Sequence, residues 1–481
     1  MNTKHYLLSG VLFFLFFNYP YTVEATSEIK FDGVNSIMAE APISIIQEQS
    51  VNITSIVEKN AVSNSTINQT GLYNRAAIFQ FGNDKHTAVE QYGLYNRLIA
   101  VQVAETEADK QEQYIRQAGG HVNYSFSQQV LATNSINSNS NLINDQLSLL
   151  TLSEADTVGR NFIFAPELSR VSVNILDDTL SHFSSITQDH LDKNRFGSCD
   201  DYKIKCDDTR SLFSVISYEN NKRNDAIGTL GYKQDILSAT IGADIINNTS
   251  VQAGVAFDIT KSKAKIDKIV GNLDAISYQI AGFTSIIQSH FYADFIAVLG
   301  VSNFTGDRFS NQASSDFKGW GGLSKLQTGY FFGKDNFHIG PLLSLSYLNN
   351  QVHGYTENGN ILLTQEIEKQ HYKKLLASLG IAMNRVDTID TFEVSSYLKF
   401  EIVRNFGIGD QDTISSYFSF SPESKVITPL SHSIEDIYHY ISGGVSVMFN
   451  NKSQISLLGT ALVGSDEITQ RGIYAQLLIP F

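Results

Sequence analysis

From about Leu212 to its end the chain alternates, and this limits the fold more than any other feature. Val251, Ala253, Val255, Phe257 and Ile259 are interleaved with Gln252, Gly254, Ala256, Asp258 and Thr260. Phe392, Val394, Leu398, Phe400 and Ile402 are interleaved with Glu393, Ser395, Tyr397, Lys399 and Glu401. Ile473, Ala475, Leu477, Ile479 and Phe481 form one face of the last segment. A period of two means a sheet with one apolar face. In a soluble sandwich that face turns inward; in a membrane barrel it turns out to lipid, and the polar face lines a lumen. Charges such as Glu393, Lys399 and Glu401 are costly in a dry core and acceptable in a wet lumen. The segments are as long as a tilted bilayer span requires, and short and long connections alternate between them.

The pattern predicts twelve strands, at about 212–222, 235–246, 250–263, 273–287, 290–303, 321–333, 337–354, 371–386, 391–406, 435–449, 452–463 and 469–481. Short turns are expected at Asn247-Asn248, 333–336, 387–390 and Asn450-Asn451, and long polar loops near 303–320, 355–370 and 408–433. A soluble all-β fold is the alternative.

Composition fits a chain that hides its hydrophobicity in alternation. Of 481 residues, 30 are Phe and 22 Tyr, yet only 17% are charged, against about 25% in an ordinary domain. A formal net charge of −14 argues against nucleic acid as a partner. After residue 17 no apolar run approaches the roughly 18 residues of a membrane helix.

Ahead of the sheet, several shorter signals order the chain. Lys4 and His5, the apolar stretch Tyr6 to Phe17 and then Val23-Glu24-Ala25 read as a secretory signal over residues 1–25, cleaved after Ala25. Cys199 and Cys206 are the only cysteines; in an exported chain a local disulfide between them is expected over half a zinc site. Leu176, Leu180, Phe183 and Leu191 recur near helical spacing among polar residues, which predicts a helix from about Val171 to Arg195, long enough to thread a lumen.

This series resembles the classical (monomeric) autotransporters of type V secretion: signal peptide, exported region, pore helix, twelve strands and a terminal Phe481. The last nine residues, Ile473 to Phe481, match that family's pattern of alternate hydrophobics ending in Phe, with Pro480 as a small departure. The resemblance covers about residues 170–481. It implies an outer-membrane β-barrel in a Gram-negative bacterium that exports or anchors the segment before it. It further implies Phe481 as the barrel-assembly signal, and barrel-assembly machinery, periplasmic chaperones and outer-membrane lipid as partners. Some members of the family cut the chain within the pore helix at an Asn, here Asn174; the expectation is a passenger that stays attached.

The segment before the helix is a repeat. Gly71-Leu72-Tyr73-Asn74-Arg75 recurs unchanged as Gly93-Leu94-Tyr95-Asn96-Arg97, 22 residues on. A half-period of 11 appears in Gln47, Glu58, Gln69, Gln80, Gln91, Gln102 and Gln113, and in an aliphatic row, Ile45, Ile56, Ile67, Ile78, Val89 and Ala100. Gly71, Gly82 and Gly93 supply turns. Each unit of 11 reads as a strand and a tight turn, two units make a coil, and Gln and Asn fall into ladders. Gln117 and Gln128 are four residues out of phase, so a small insertion is expected there. This region, about residues 44–130, resembles the curlin repeats of curli amyloid subunits: Ser63, Gln69, Gly71, Asn74, Ala76 and Gln80 fit that pattern in full, while the second copy has Lys85 for Ser and Leu98 for Ala. The resemblance implies a β-solenoid with the ladder residues Gln47, Gln69, Gln80, Gln91, Gln102, Asn74 and Asn96.

The expected order is therefore a signal (1–25), a solenoid passenger (26–130), an Asn/Ser-rich linker (131–168), a pore helix with the cysteine loop (169–211) and a barrel (212–481). The repeat region lacks a G-x-S-x-G elbow and an H-E-x-x-H motif, so no catalytic, metal or cofactor residue is assigned. Surface display for adhesion, autoaggregation or biofilm formation is the expected function, with curli-like fibres, other cells or a host surface as partners. The alternatives are an outer-membrane barrel with a transport or structural role and a periplasmic repeat region, or a hydrolase passenger.

Overall fold

The computed structural model describes residues 21–23, 27–30, 33–39, 43–47, 51–59, 63–70, 73–81, 85–92, 95–104, 112–118, 122–131, 167–196, 210–224, 230–248, 250–266, 271–334, 336–389, 392–407, 413–419, 421–429, 437–449, 453–465 and 468–481. Two units emerge, Met1–Ile163 and Phe164–Phe481. The linker expected at 131–168, both cysteines and the turn glycines Gly71, Gly82 and Gly93 lie outside the described residues, apart from Leu131, Glu167 and Leu168 at the linker's edges. So does the signal segment, apart from Tyr21–Val23, which pair in parallel with Ile37–Ala39.

In the first unit, successive strands go to alternate sheets, and both sheets are parallel. One sheet orders Tyr21–Val23, Gly33–Ala39, Val51–Lys59, Tyr73–Phe81, Tyr95–Ala104 and Val122–Leu131; the other orders Glu112–Ala118, Lys85–Tyr92, Ser63–Thr70, Ile43–Gln47 and Ser27–Lys30. The 22-residue repeat is the pairing register. Asn74 faces Asn96 and Gln80 faces Gln102 on one sheet; Gln47 faces Gln69 and Gln69 faces Gln91 on the other. Ile56, Ile67, Ile78 and Val89 are fully buried, and so are the amides of Gln69 and Gln80. After Ala104 the step lengthens. Gln117 pairs with Gln91 and Gln129 with Gln102, while Gln113, in the row by simple count, faces Thr87.

The second unit is a closed antiparallel barrel around one helix. The helix α1 is Glu167–Phe196. The barrel strands are β1 Ser211–Arg223, β2 Tyr232–Asn247, β3 Val251–Ile266, β4 Gly271–Gln288, β5 Phe291–Arg308, β6 Ala313–Tyr330, β7 Phe337–Val352, β8 Gln370–Ile389, β9 Phe392–Gly407, β10 Ile437–Met448, β11 Gln454–Val463 and β12 Ile468–Pro480. Each pairs with the next, and β12 returns to β1 along Ser211↔Pro480 to Arg223↔Ile468, which removes every edge. The Phe481 amide donates to the Arg210 carbonyl at 2.9 Å and extends that seam.

Alternation decides the two faces. Ile216, Leu237, Ile241, Phe257, Ile280 and Leu299 point outward and are exposed, whereas Ser217, Ser238, Asp258, Gln279, Asp294, Lys399 and Glu401 point inward and are buried. An apolar exterior over a polar interior is the inverse of a soluble core, and suits hydrocarbon outside and polar partners inside. Ile280 lies at the middle of β4 on the outer face. Replacing it with Arg is expected to destabilise the barrel by about 2–4 kcal/mol, measured by reversible denaturant unfolding in lipid vesicles; an unchanged midpoint would contradict a lipid-facing exterior.

One end of the barrel carries short turns, the other longer hairpins. The loop expected at 303–320 is instead strand: β5 runs to Arg308 and β6 starts at Ala313, around a turn in which Phe309, Ser310 and Asn311 have φ of 53°, 58° and 67°. Polar outward residues such as Asn303, Thr305, Asp316 and Lys318 resemble a loop in sequence. The inward Phe304 and Phe317, stacked at 5.0 Å, keep the hairpin paired beyond the apolar band. The segments expected as polar loops near 355–370 and 408–433 contain a sheet of their own, in the order Tyr355–Thr356, Gln365–Ile367, Thr413–Phe418, Ser421–Pro429. Leu362, Leu363, Ile367, Ile414 and Phe418 are its buried side chains. The buried Arg308–Glu357 ion pair and the Phe317–Tyr355 stack at 3.9 Å fix it to the hairpin.

Candidate functional site: a polar helix in the barrel lumen

The helix α1 extends past the predicted start at Val171 to Glu167, and its 30 residues rise about 45 Å. That exceeds the roughly 30 Å of bilayer hydrocarbon. Glu167 in its first turn and Lys193 and Arg195 in its last complement the helix dipole. Its described side chains are all buried or half-buried, although many are polar. A helix polar all round can be buried all round only if its surroundings supply hydrogen bonds and counter-charges.

The barrel wall supplies them level by level. Near the start, Gln370 of β8 donates to the Ser169 hydroxyl, and the Tyr355 hydroxyl bonds Ser169 as well. Next, Lys374 of β8 meets Asp177 at 3.0 Å and Arg223 of β1 meets Asp178 at 2.8 Å. Midway, His182 touches Glu219 at 3.0 Å and Ser217 at 2.7 Å, both on β1. Further on, His190 meets Asp244 of β2 at 3.0 Å, accepts or donates with Gln476 of β12 at 2.8 Å, and stacks on Phe213 at 3.8 Å. At the end, Arg195 pairs with Asp294 of β5 at 2.6 Å and lies 3.5 Å over the Tyr292 ring.

A cluster of charges closes the lower lumen. The Lys399 ammonium faces Asp189 at 3.9 Å, Asp192 at 3.5 Å and Glu401 at 3.4 Å. Asp192 also accepts from the Tyr397 hydroxyl at 2.9 Å and the Gln327 amide at 3.3 Å. Helix and wall therefore share one ion network, in which neither partner is satisfied without the other.

Apolar contacts set the register of the helix. Gly300 of β5 and Gly321 of β6 are cross-strand partners on the inner face. Leu180 of α1 rests on both: a Cβ at Gly300 would stand 3.1 Å from one Leu180 methyl, and a Cβ at Gly321 would stand 2.7 Å from the other. Only glycine allows this approach.

The constellation Ser217, His182, Glu219 has the order of a hydrolase triad. Ser217 also bonds Ser238 at 2.6 Å, and α1 and the wall enclose all of these groups. The arrangement is a polar stitch between helix and β1.

The direction of α1 follows from its partners. Its first turn is bonded at the long-hairpin end, through Gln370 and Tyr355. Its last turn is bonded to Asp294, near the short turn between β4 and β5, the end from which β1 begins. The family model of autotransporter β-domains matches residues 213–459, just over half of the chain. The chain belongs to the autotransporter family. Its barrel is the outer-membrane translocator domain, and α1 is the helix that fills it.

Among solved structures, the translocator domain of the autotransporter NalP from Neisseria meningitidis is similar at 11% identity and a TM-score of 0.48, covering 63% of this chain and 98% of that one. The β-domain of the Bordetella autotransporter BrkA is similar at 15% identity and a TM-score of 0.43, covering 57% and 100%. The transport unit of the autotransporter AIDA-I from Escherichia coli is similar at 11% and 0.42, covering 59% and 94%. No curated protein matches the chain.

Sequence reasoning marked Lys399, Glu401 and Tyr397 as lumen-facing but did not pair them with α1. The missing signal is the helix's own acids: Asp177, Asp178, Asp189 and Asp192 stand where Lys374, Arg223 and Lys399 reach them. Asn174 is half-buried in an unbroken helix, and its side chain bonds Tyr232.

Proposed function

We propose that this autotransporter displays its own N-terminal repeat at the cell surface, as a short curlin-like β-solenoid that acts in adhesion, autoaggregation or biofilm formation. The observation that carries this reading is the direction of α1. Its N-terminal turn lies at the long-hairpin end of the barrel, so the chain ahead of it departs from the end that faces outward in outer-membrane barrels. The 22-residue parallel register supports the solenoid part: identical amides recur in rows, and aliphatic residues are buried at the intervening positions. Among the described residues the two sheets end on Glu112–Ala118 and Val122–Leu131. Strand ends of this kind offer backbone groups to another sheet, which is the chemistry of self-association. The passenger stays joined to the helix that plugs the barrel.

Protease shaving of intact cells tests the display. The expected result is loss of the 44–130 region with the barrel fragment retained. Protection in intact cells, with cleavage only after permeabilisation of the outer membrane, would place the repeat in the periplasm. Deleting residues 44–130 while keeping the barrel is expected to abolish cell aggregation and biofilm gain; unchanged aggregation would remove the adhesive role.

A further inference from the structure

We propose that the outer wall of β1–β3, at the long-hairpin end, binds the phosphate groups of a phosphorylated glycolipid in the outward-facing leaflet. Cross-strand register brings five lysines onto one outward patch. Lys222 of β1 faces Lys233 of β2, and Lys233 faces Lys265 of β3. Lys263 and Lys261 follow at alternate positions down β3, and all five are exposed. Directly opposed residues on an antiparallel sheet stand about 5 Å apart at Cβ, and like charges there repel. The opposition of Lys222 and Lys233 favours an anion shared between their ammonium groups, with Lys265 next to them in the register.

Two carboxylates adjoin this block. Asp235, opposite Lys263 in the register, accepts from the Tyr218 hydroxyl at 2.6 Å and the Asn220 amide at 2.8 Å. Asp274 of β4 pairs with Lys263 at 3.8 Å, which leaves the Lys222, Lys233 and Lys265 row as the centre of the patch. On a chain of net charge −14 the patch is a local inversion of sign.

Its height selects a lipid as the source of that anion. The outward row just below it is Ile216, Ala239, Ile259, Tyr278 and Val301, continuous across β1 to β5 and free of charge. Along β3, Lys261, Lys263 and Lys265 follow Ile259 by about 7, 13 and 20 Å. At a strand tilt near 40° this is about 5 to 15 Å of height, which begins in the headgroup layer and continues above it. Lysines that leave the hydrocarbon at this depth meet phosphates at membrane surfaces. The outward placement rests on the orientation proposed above; the patch itself does not.

The test is native mass spectrometry of the full-length protein in detergent, titrated with bis-phosphorylated lipid A, its dephosphorylated form and inorganic pyrophosphate. Lipid A is expected to bind, more weakly as salt rises. The triple variant Lys222→Gln, Lys233→Gln, Lys265→Gln is expected to lose about a hundredfold in affinity, at about fivefold per lysine. The triple Arg variant is expected to keep binding, and Arg385→Gln, exposed at the opposite end, to leave it unchanged. A heat-modifiable gel shift confirms that each variant is folded. Equal affinity of the triple Gln variant and the parent chain would overturn the proposal. So would equal binding of the dephosphorylated lipid, or pyrophosphate bound as tightly as lipid A. Surface shaving reads orientation separately, so a failed patch and a failed orientation are distinguishable.

Discussion

Replacing Lys399 with Met is expected to destabilise the barrel by about 3–5 kcal/mol, the usual cost of removing one partner from a buried ion network. The Lys399 ammonium is the cation that Asp189, Asp192 and Glu401 share. Asp192 keeps Arg195 at 2.8 Å and the Tyr397 hydroxyl at 2.9 Å, but Asp189 and Glu401 lose a close counter-charge. These buried acids are then left to the more distant ammonium groups of Lys193 and Lys325. Methionine fills similar volume, so the effect isolates the charge and not a cavity. The measurement is denaturant unfolding of refolded protein in lipid vesicles, read by the heat-modifiable gel shift. Adding Glu401→Gln to the Met variant is expected to restore part of the loss, because it removes one of the stranded charges. A Met variant within about 1 kcal/mol of the parent chain would mean that water reaches the cluster and screens it.

Replacing Gly321 with Leu is expected to open the pore. The added Cβ alone would stand 2.3 Å from the Asn350 side-chain oxygen and 2.7 Å from Leu180, so one of these must move. Asn350 projects from the wall on β7, whereas Leu180 belongs to a helix held by separable contacts. Overpacking of this kind costs about 1–3 kcal/mol, and displacement of α1 relieves it. Among the described residues the backbone ladder of the twelve-strand ring runs from strand to strand without the helix, so the barrel is expected to fold with its plug displaced. Planar-bilayer recording is expected to show steady conductance where the parent chain is closed. Combining Gly321→Leu with Leu180→Ala is expected to restore closure, because the smaller helix residue makes room. A closed Gly321→Leu channel would show that the wall yields in place of the helix.

The barrel was legible because its solvent on each side is extreme. Hydrocarbon outside and water or polar side chains inside force alternate residues to opposite character, and most of the twelve strands keep that alternation. The mispredicted element makes the same point. Beyond the bilayer, the outer face of β5 and β6 meets water in place of hydrocarbon, so Asn303, Thr305, Asp316 and Lys318 lose the outward apolar signal while the backbone stays paired. Pairing continues there on Phe304 and Phe317, one inward ring from each strand, too sparse to read as a period. The cap sheet from Tyr355 to Pro429 was hidden for a related reason: its strands are short and its core mixes residues from two hairpins far apart in sequence.

The helix was half-legible. Its apolar residues at helical spacing gave its position, but not that its polar face would be buried too. A sequence shows which residues are charged; only closure of the ring brings Arg223, Lys374, Lys399 and Asp294 from four strands around one axis. The lysine patch on β1–β3 is of the same kind, since Lys222, Lys233 and Lys265 become neighbours only through register.

By itself, then, the sequence determined the local periods: two for a one-sided sheet, 22 for the repeat, near 3.6 for the helix. These are properties of neighbouring residues and their solvent. The tertiary structure decided which groups answer one another across the lumen and along the wall. Coulomb and hydrogen-bond energies depend on distance in space, and that distance is set by the closure and shear of the barrel, which no local period encodes.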